Sequence, residues 1–530
     1  MRRKVHVHRD GCVLLLSLIV LIEPSSSIMA ESTEQEDSAT LTILHTNDLH
    51  GHVTAWRGWE GAFEGKTLGG MAVLATVVKQ ICDSVGTERV LLVDAGDALS
   101  DTMLAAETRG HAVVRLMNAI GYDAMVIGNH GLDFTMETLQ ERIHEARFAV
   151  LAANLIDVQT QQTALQPAII LERGGLKVGI VGLAYPHTAL TTQQRNVAGM
   201  RFLGAAETAR KWVPQLRRQG ADVIIVLSHL GLGADMTLAR EIEDIDVIVG
   251  GHSHNRIGVP IQIGRTVIVQ AGAHGSDLGR LNLTVRDGHI QSHQGHLIVQ
   301  DHDVYGPDSE VAALVEKLRQ PYRVQLEAGV FTAERTIPRA QTLAGSTPRR
   351  RDAESPVDEL FADLLAEVLD VEAVILPGVG YGVALGPGLV TAEQLGNLLP
   401  HASQIVTMKL SGKHVQEILE QSIDNVMAGD PNERVGGMIQ VSGLAFAYDP
   451  KRPAYDRLRW VTVRGEELEH ERLYDVATNS LLAQGGHGYD VFQQGIDRKD
   501  RGGQYELIRD QLKRRQRVEL PLAGRIQVIR

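Results

Sequence analysis

Short β-branched runs alternate with amphipathic stretches from residue 41 onward, and five of these runs close at once on Asp, Asn, Ser or His. The runs are Leu41–Thr46, Val90–Val93, Ala124–Ile127, Val223–Leu227, Val247–Val249 and Val267–Val269. Between them, Gly70–Ser84, Met103–Ala119 and Ala205–Arg218 carry apolar residues at three- and four-residue spacing, the period of a half-buried helix. This rhythm predicts a layered α/β domain over residues 40–300. A Gly306-Pro307 turn then leads into the helical pattern Ser309–Leu326 and a polar tract ending at Arg349–Arg351, read as a helical linker over 301–350. A second α/β unit is expected over 351–530, with helices at Val357–Leu369 and Lys413–Asn425, a Gly/Pro-rich segment at 377–388, and strands near 439–447 and 459–463.

A chain of 530 residues is too long for one core, which suits this division. At the N-terminus, Arg2, Arg3, Lys4 and Arg9 precede the apolar stretch Gly11–Ile22 and the small residues around Ser25–Ala30. That order predicts a signal peptide over 1–30 and a secreted or periplasmic protein with no membrane span after cleavage. Cys12 falls within the signal, so Cys82 stands alone in the mature chain, on a helix and among apolar neighbours. A net charge of -13 argues against a nucleic-acid polymer as partner, and the basic run Lys513–Arg517 reads as a solvated face.

The chemistry lies in the five strand exits: His45-Thr-Asn-Asp48-Leu-His50, Asp94-Ala-Gly-Asp97, Gly128-Asn129-His130-Gly-Leu-Asp133, Ser228-His229 and Gly250-Gly-His252-Ser-His254. Sites in open α/β sheets form at the carboxyl ends of strands, so these segments are expected to converge across some 200 residues of chain. Imidazole and carboxylate without thiolate suit two divalent ions of the Mn, Zn, Fe or Co kind, with Asp97 the candidate bridging carboxylate. Any one of these motifs alone is commonplace, since Gly-Asn and Gly-Asp pairs usually mark turns. His45 is expected in the core, His52 on a loop and Asp94 on turn amides.

Taken in order, these motifs resemble the calcineurin-like metallophosphoesterases, and their flanks resemble the 5′-nucleotidase branch over residues 41 to about 495. The resemblance implies a four-layer αββα sandwich followed by an α/β C-terminal substrate domain. It implies Asp48, His50, Asp97 and His254 around one metal, and Asp97, Asn129, His229 and His252 around the other. His130, paired with Asp133, would be catalytic, although Gly131 stands where the family usually has Glu. The activity implied is hydrolysis of a nucleotide or another small phosphate ester by a water activated between the metals.

The second half resembles that branch's substrate domain in Leu389-Val-Thr391, Met408-Lys-Leu-Ser-Gly412 and Gln484-Gly-Gly-His487-Gly-Tyr489. The loop Leu376-Pro-Gly-Val-Gly-Tyr381 lacks the family's phosphate-binding Arg, the two base-stacking aromatics appear as His401 and Leu481, and His487 replaces an Asp. Tyr381, His401, Leu481 and His487 are therefore the candidate substrate residues. Pro377-Gly-Val-Gly-Tyr381-Gly, Asp424-Asn-Val and Val435-Gly-Gly-Met also resemble the thiosulfohydrolase of bacterial sulfur oxidation, which gives a second reading. A secreted binding protein that has lost catalysis is the third.

Overall fold

The six β-branched runs all become strands, and they divide equally between two six-stranded sheets. The computed structural model describes residues 38–59, 61–338, 353–378, 382–430, 435–518, 520 and 524–529. The expected signal peptide, Arg349–Arg351 and Tyr381 lie outside the described residues. Among the described residues no helix is long and apolar enough to cross a membrane.

The first sheet runs His289–Val299, Asp277–Arg286, Ala39–Thr46, Val90–Asp94, Ala124–Val126, Ala149–Leu151. The second runs Ile261–Ile263, Thr266–Val269, Val247–Gly250, Val223–Ser228, Leu176–Leu183, Ala168–Arg173. Four neighbouring strands in each are parallel, which requires crossovers, and the intervening helices supply most of them. Leu41, Ile43, Leu91, Val93 and Val126 of one sheet meet Val178, Ile180, Ile225, Val247 and Val249 of the other in a core closed to solvent. Helices Met71–Val85, His111–Ile120 and Met136–Glu145 cover the outer face of the first sheet. Ala205–Arg218 and Leu232–Glu241 cover that of the second. The result is the four-layer αββα sandwich, and burial on both faces explains why its strands read as unbroken apolar runs.

The expected helix 103–119 is two helices, Met103–Glu107 and His111–Ile120, because Gly110 turns left-handed between them at φ 78°. Ser309–Leu326 also breaks, at Pro321, after Arg319. Its first part packs Val311 and Val315 against the helices of the first half, while Gly329–Ala333 pairs with Gly388–Thr391 of the second. Cys82 is half-buried on its helix, and Lys513–Arg517 is exposed.

In the second half, a five-stranded sheet carries Pro356–Leu369 and Gln504–Arg515 on one face and Gly412–Met427 on the other. Helix Pro356–Leu369 starts as its sequence dictates, with Ser355 accepting the Asp358 amide, Pro356 in the first turn and acidic residues behind it. One of those, Glu359, is 2% exposed and its Oε1 has no hydrogen-bond partner. Burial first, then the neighbouring Glu354, push its carboxyl up to about 8 from an ordinary 4.5, against the pull of Arg525. The folded state therefore holds a proton that the unfolded chain loses, and stability attributable to Glu359 is present below about 4.5 and lost as pH rises toward about 8. Urea unfolding across that window is expected to show the decline in wild type and a flatter profile in Glu359→Gln. Identical slopes would refute the assignment.

Candidate metal centre

Parallel strands that share an edge deliver their carboxyl-terminal loops to one place, and here both sheets deliver theirs to the same seam. Asp48 and His50 leave Ala39–Thr46, Asp97 leaves Val90–Asp94, Asn129 and His130 leave Ala124–Val126, His229 leaves Val223–Ser228, and His252 and His254 leave Val247–Gly250. Backbone bonds lace the exits together: Asp48 N–H donates to Gly96 O and His50 N–H to Asp97 O, both at 2.8 Å. Asp48, His50, Asp97, His252 and His254 all have positive φ, between 46° and 69°. Left-handed backbone at side-chain-bearing residues is costly and clusters where function demands it.

Two groupings of donor atoms emerge. In one, His254 Nε2 lies 3.2 Å from Asp48 Oδ1 and 3.0 Å from His50 Nε2, with His50 Nε2 3.6 Å from Asp48 Oδ1. In the other, His229 Nε2 lies 2.8 Å from Asp97 Oδ2, and His252 joins them within 4.8 Å. Asp97 also groups with Asp48 and His50, so it belongs to both. The far nitrogens are committed: His229 Nδ1–H donates to Ala95 O at 2.7 Å, and His50 Nδ1 meets Asp101 Oδ2 at 2.5 Å. Such partners leave each Nε2 facing the seam, as metal-holding imidazoles require.

The donor chemistry fits divalent cations. Asn129 Oδ1 is buried without a hydrogen-bond partner, an orphan a cation would satisfy. Burial drives the Asp48 and Asp97 carboxyls upward, yet the surrounding imidazoles hold both well below the ordinary carboxylate range. Burial likewise opposes charge on His50, but Asp101, Asp48 and Asp97 lift it to about 9. Protons and metal ions compete for these nitrogens.

His130 Nδ1 lies 2.7 Å from Asp133 Oδ2, and the His130 amide donates to Asp97 Oδ1 at 2.9 Å. Burial opposes charge on His130, but Asp101, Asp133 and Asp97 raise it well above its ordinary value. His401 arrives from the second half and stacks on His130, ring centroids 5.1 Å apart and planes 7° from parallel. His487 is buried, 4% exposed, over Gly436, and Leu481 is half-buried over Gly486. Neither shares a metal-competent group with the strand-exit residues. The His487 turn, Gly486–Gly488, packs on helix Thr188–Thr191, near Tyr185, whose ring stacks on His252 at 4.1 Å. Asp101, His274 and Tyr185 were not foreseen: none belongs to a strand-exit motif, and Ser100-Asp101-Thr102 reads only as a helix start. His52, expected on a loop, is 5% exposed and lies against His274.

A profile described as calcineurin-like phosphoesterase matches residues 41–256, and one described as 5′-nucleotidase, C-terminal domain, matches residues 332–494. The snake venom 5′-nucleotidase of Gloydius brevicauda is 28% identical over 537 residues, covering 92% of this chain and 89% of the relative. The crystal structure of a 5′-nucleotidase precursor from Thermus thermophilus superposes with a TM-score of 0.83 at 29% identity, covering 92% of this chain and 99% of that one. The sulfate thiohydrolase SoxB of the same organism also superposes at 0.83, covering 92% and 96%, but at 24% identity this shows the fold alone.

A Cβ on Gly128 would lie 2.0 Å from Asp97 Oδ1 and 2.7 Å from the Asp97 amide. Gly128→Ala is expected to displace Asp97 and lower divalent-metal content in elemental analysis without loss of secondary structure. Full metal retention in a folded variant would detach Asp97 from the centre. Metal uptake should also release protons, with affinity rising as pH approaches about 9, where His50 gives up its proton. A calorimetric titration in two buffers of different ionisation enthalpy measures this.

Proposed function

Because the chain belongs to the 5′-nucleotidase family of calcineurin-like, metal-dependent phosphoric ester hydrolases, we propose that it is exported and removes phosphate from nucleotides or related small phosphate esters. The convergence of the strand-exit side chains about a shared Asp97 carries this reading. Asp48, His50, Asp97 and His254 would hold one divalent ion, and Asp97, Asn129, His229 and His252 the other. Nitrogen and oxygen donors without thiolate suit Mn, Zn, Fe or Co. Such ions, when bound, supply a water of lowered pKa and neutralise charge on phosphoryl oxygens.

The chain's own residues do the rest. Asp133 occupies His130 Nδ1, so Nε2 is the nitrogen able to donate to a phosphoryl or leaving-group oxygen. A charged donor fixed in a buried setting stabilises developing negative charge, worth typically about 10²–10⁴ in rate for proton transfer. Asp48, His50, Asp97, Asn129 and His229 are buried at the strand exits, which limits water and strengthens each of these interactions. The Lys/Arg–hydrophobic–small-residue order at 1–30 supports export, and a secreted venom relative accords with it.

Recognition is expected to be less selective than in relatives that use an Arg and two aromatics. A charge-assisted hydrogen bond is worth about 1.5–3 kcal/mol, and base stacking about 1–3 kcal/mol per base. Leu481 offers no ring, and His487 is buried. With added Mn²⁺, the purified protein is expected to hydrolyse nucleoside monophosphates and simple phosphate esters with little preference among bases. Turnover in ¹⁸O-water should place label in phosphate. Tight, adenine-selective hydrolysis would contradict the recognition argument, and label in the alcohol would contradict attack at phosphorus.

A further inference from the structure

His130 does not stand on Asp133 alone. Asp101 is 3% exposed, has φ 81°, and divides its carboxylate between two neighbours. Oδ2 holds His50 Nδ1 at 2.5 Å. Oδ1 has no hydrogen-bond partner and faces His130 Nδ1 at 3.5 Å and His401 Nε2 at 3.6 Å. On the other side of the stacked pair, Asp133 Oδ2 lies 2.7 Å from His130 Nδ1 and 3.4 Å from His401 Nδ1. Two parallel imidazoles thus share the same two carboxylates.

Several bonds hold this arrangement in register. Ser100 donates from its hydroxyl to His130 O at 3.1 Å, and Thr102 donates to Gly51 O at 2.8 Å. The short loop carrying Asp101 is therefore clamped both to the His50 exit and to the His130 exit. From the second half, Asn397 Oδ1 accepts the Met103 amide at 3.0 Å, four residues before His401, and Ser403 N–H donates to His401 O at 2.7 Å. The His401 side chain is 29% exposed and closes the cluster toward solvent.

We propose that Asp101 and His401 are positioning residues for phosphoester hydrolysis, completing the His130–Asp133 couple as a four-membered cluster to which both halves of the chain contribute. This rests on the phosphoester-hydrolase reading above. Asp101 ties the orientation of His50, at the metal centre, to that of His130. His401 fixes the plane of the His130 ring by stacking and presents its nitrogens to the carboxylates that would otherwise swing away. The cluster assigns His401 to rate, whereas a base-stacking ring at this position would act on nucleotide affinity.

Kinetics on two substrates separate these roles. His401→Ala, assayed with Mn²⁺ on AMP and on p-nitrophenyl phosphate, should lower kcat about 10- to 100-fold on both, a typical loss for residues that orient a reacting group, with KM within about twofold. His401→Phe restores a stacking ring without nitrogens and should stay low in kcat on both. His401→Gln, which keeps a polar end, should recover part of the loss. In a His130→Ala background, His401→Ala should add nothing, because its effect passes through the missing ring. Asp101→Asn, whose amide oxygen can still accept from His50 Nδ1, should lower kcat with two ions retained in elemental analysis, and loss of ions in step with kcat would overturn its part in the cluster. A rise in KM for AMP alone with kcat preserved, or full additivity with His130→Ala, would overturn the inference while leaving the hydrolase reading intact. Failure of the metal-loaded wild type to hydrolyse either ester would overturn both.

Discussion

Buried negative charge at the seam between the two sheets is the constraint on which the site depends. Asp97 is the centre of it: Oδ2 meets His229, Oδ1 accepts the His130 amide, and its carbonyl accepts the His50 amide. Asp48 is held in the same way by the Asn47 amide group at 2.7 Å and by the His252 backbone N–H at 2.9 Å. Carboxylates removed from water must be paired and hydrogen-bonded. Five strand exits meet that demand together, so each exit is positioned by the others. The glycines follow from it, since Gly96, Gly128 and Gly251 each pack where a Cβ would lie within 2.5 Å of site atoms or their supporting backbone.

Positive φ at Asp48, His50, Asp97, His252 and His254 is the cost of aiming side chains from tight exits into one volume. The sheets behind them can bear it. Their facing surfaces are closed to solvent over strands 39–46, 90–94, 223–228 and 247–250, and each exit begins from a strand locked by ladder bonds on both sides. The stability of the core and the strain of the site are thus coupled through the same residues, a common arrangement where function requires unfavourable local geometry.

Much of this was legible in the amino-acid sequence because the strands are buried on both faces and read as plain apolar runs. Val223–Ser228 and Val247–Gly250 extend the expected runs by a single residue each. Leu176–Leu183 escaped notice because Gly179 and Gly182 interrupt it; they are small because Leu216 and Leu151 pack directly on them. The hairpin Asp277–Arg286 with His289–Val299 was also missed, although Asp287-Gly288 is a turn signal, because polar residues on its half-exposed face dilute the apolar pattern. Side chains of the strand-exit motifs lie together in the fold, but partners set by tertiary folding, such as His401 against His130, have no local signature.

The acids and imidazoles left out of the site show how the fold discriminates among identical side chains. Asp94, bonded to Thr46 and to the Gly96 amide as a turn residue, is pushed up to about 7 by burial. Asp235, bonded to Ser228, is raised to about 7 for the same reason. His45, packed where Gly279 leaves room, is driven down to about 3 by burial, and His52 likewise. These groups favour neutrality, whereas Asp48, Asp97, His50 and His130 favour charge although they are just as buried. Burial is common to all of them, so it cannot be what separates the two sets. The separation comes from mutual placement: carboxylates and imidazoles that face one another across the seam sustain charge, whereas Asp94 and Asp235 meet neutral hydroxyls, His45 meets the core and His52 is opposed by the neighbouring His50. Charge is therefore sustained at the seam, where a dianionic phosphate and two cations could be balanced against it.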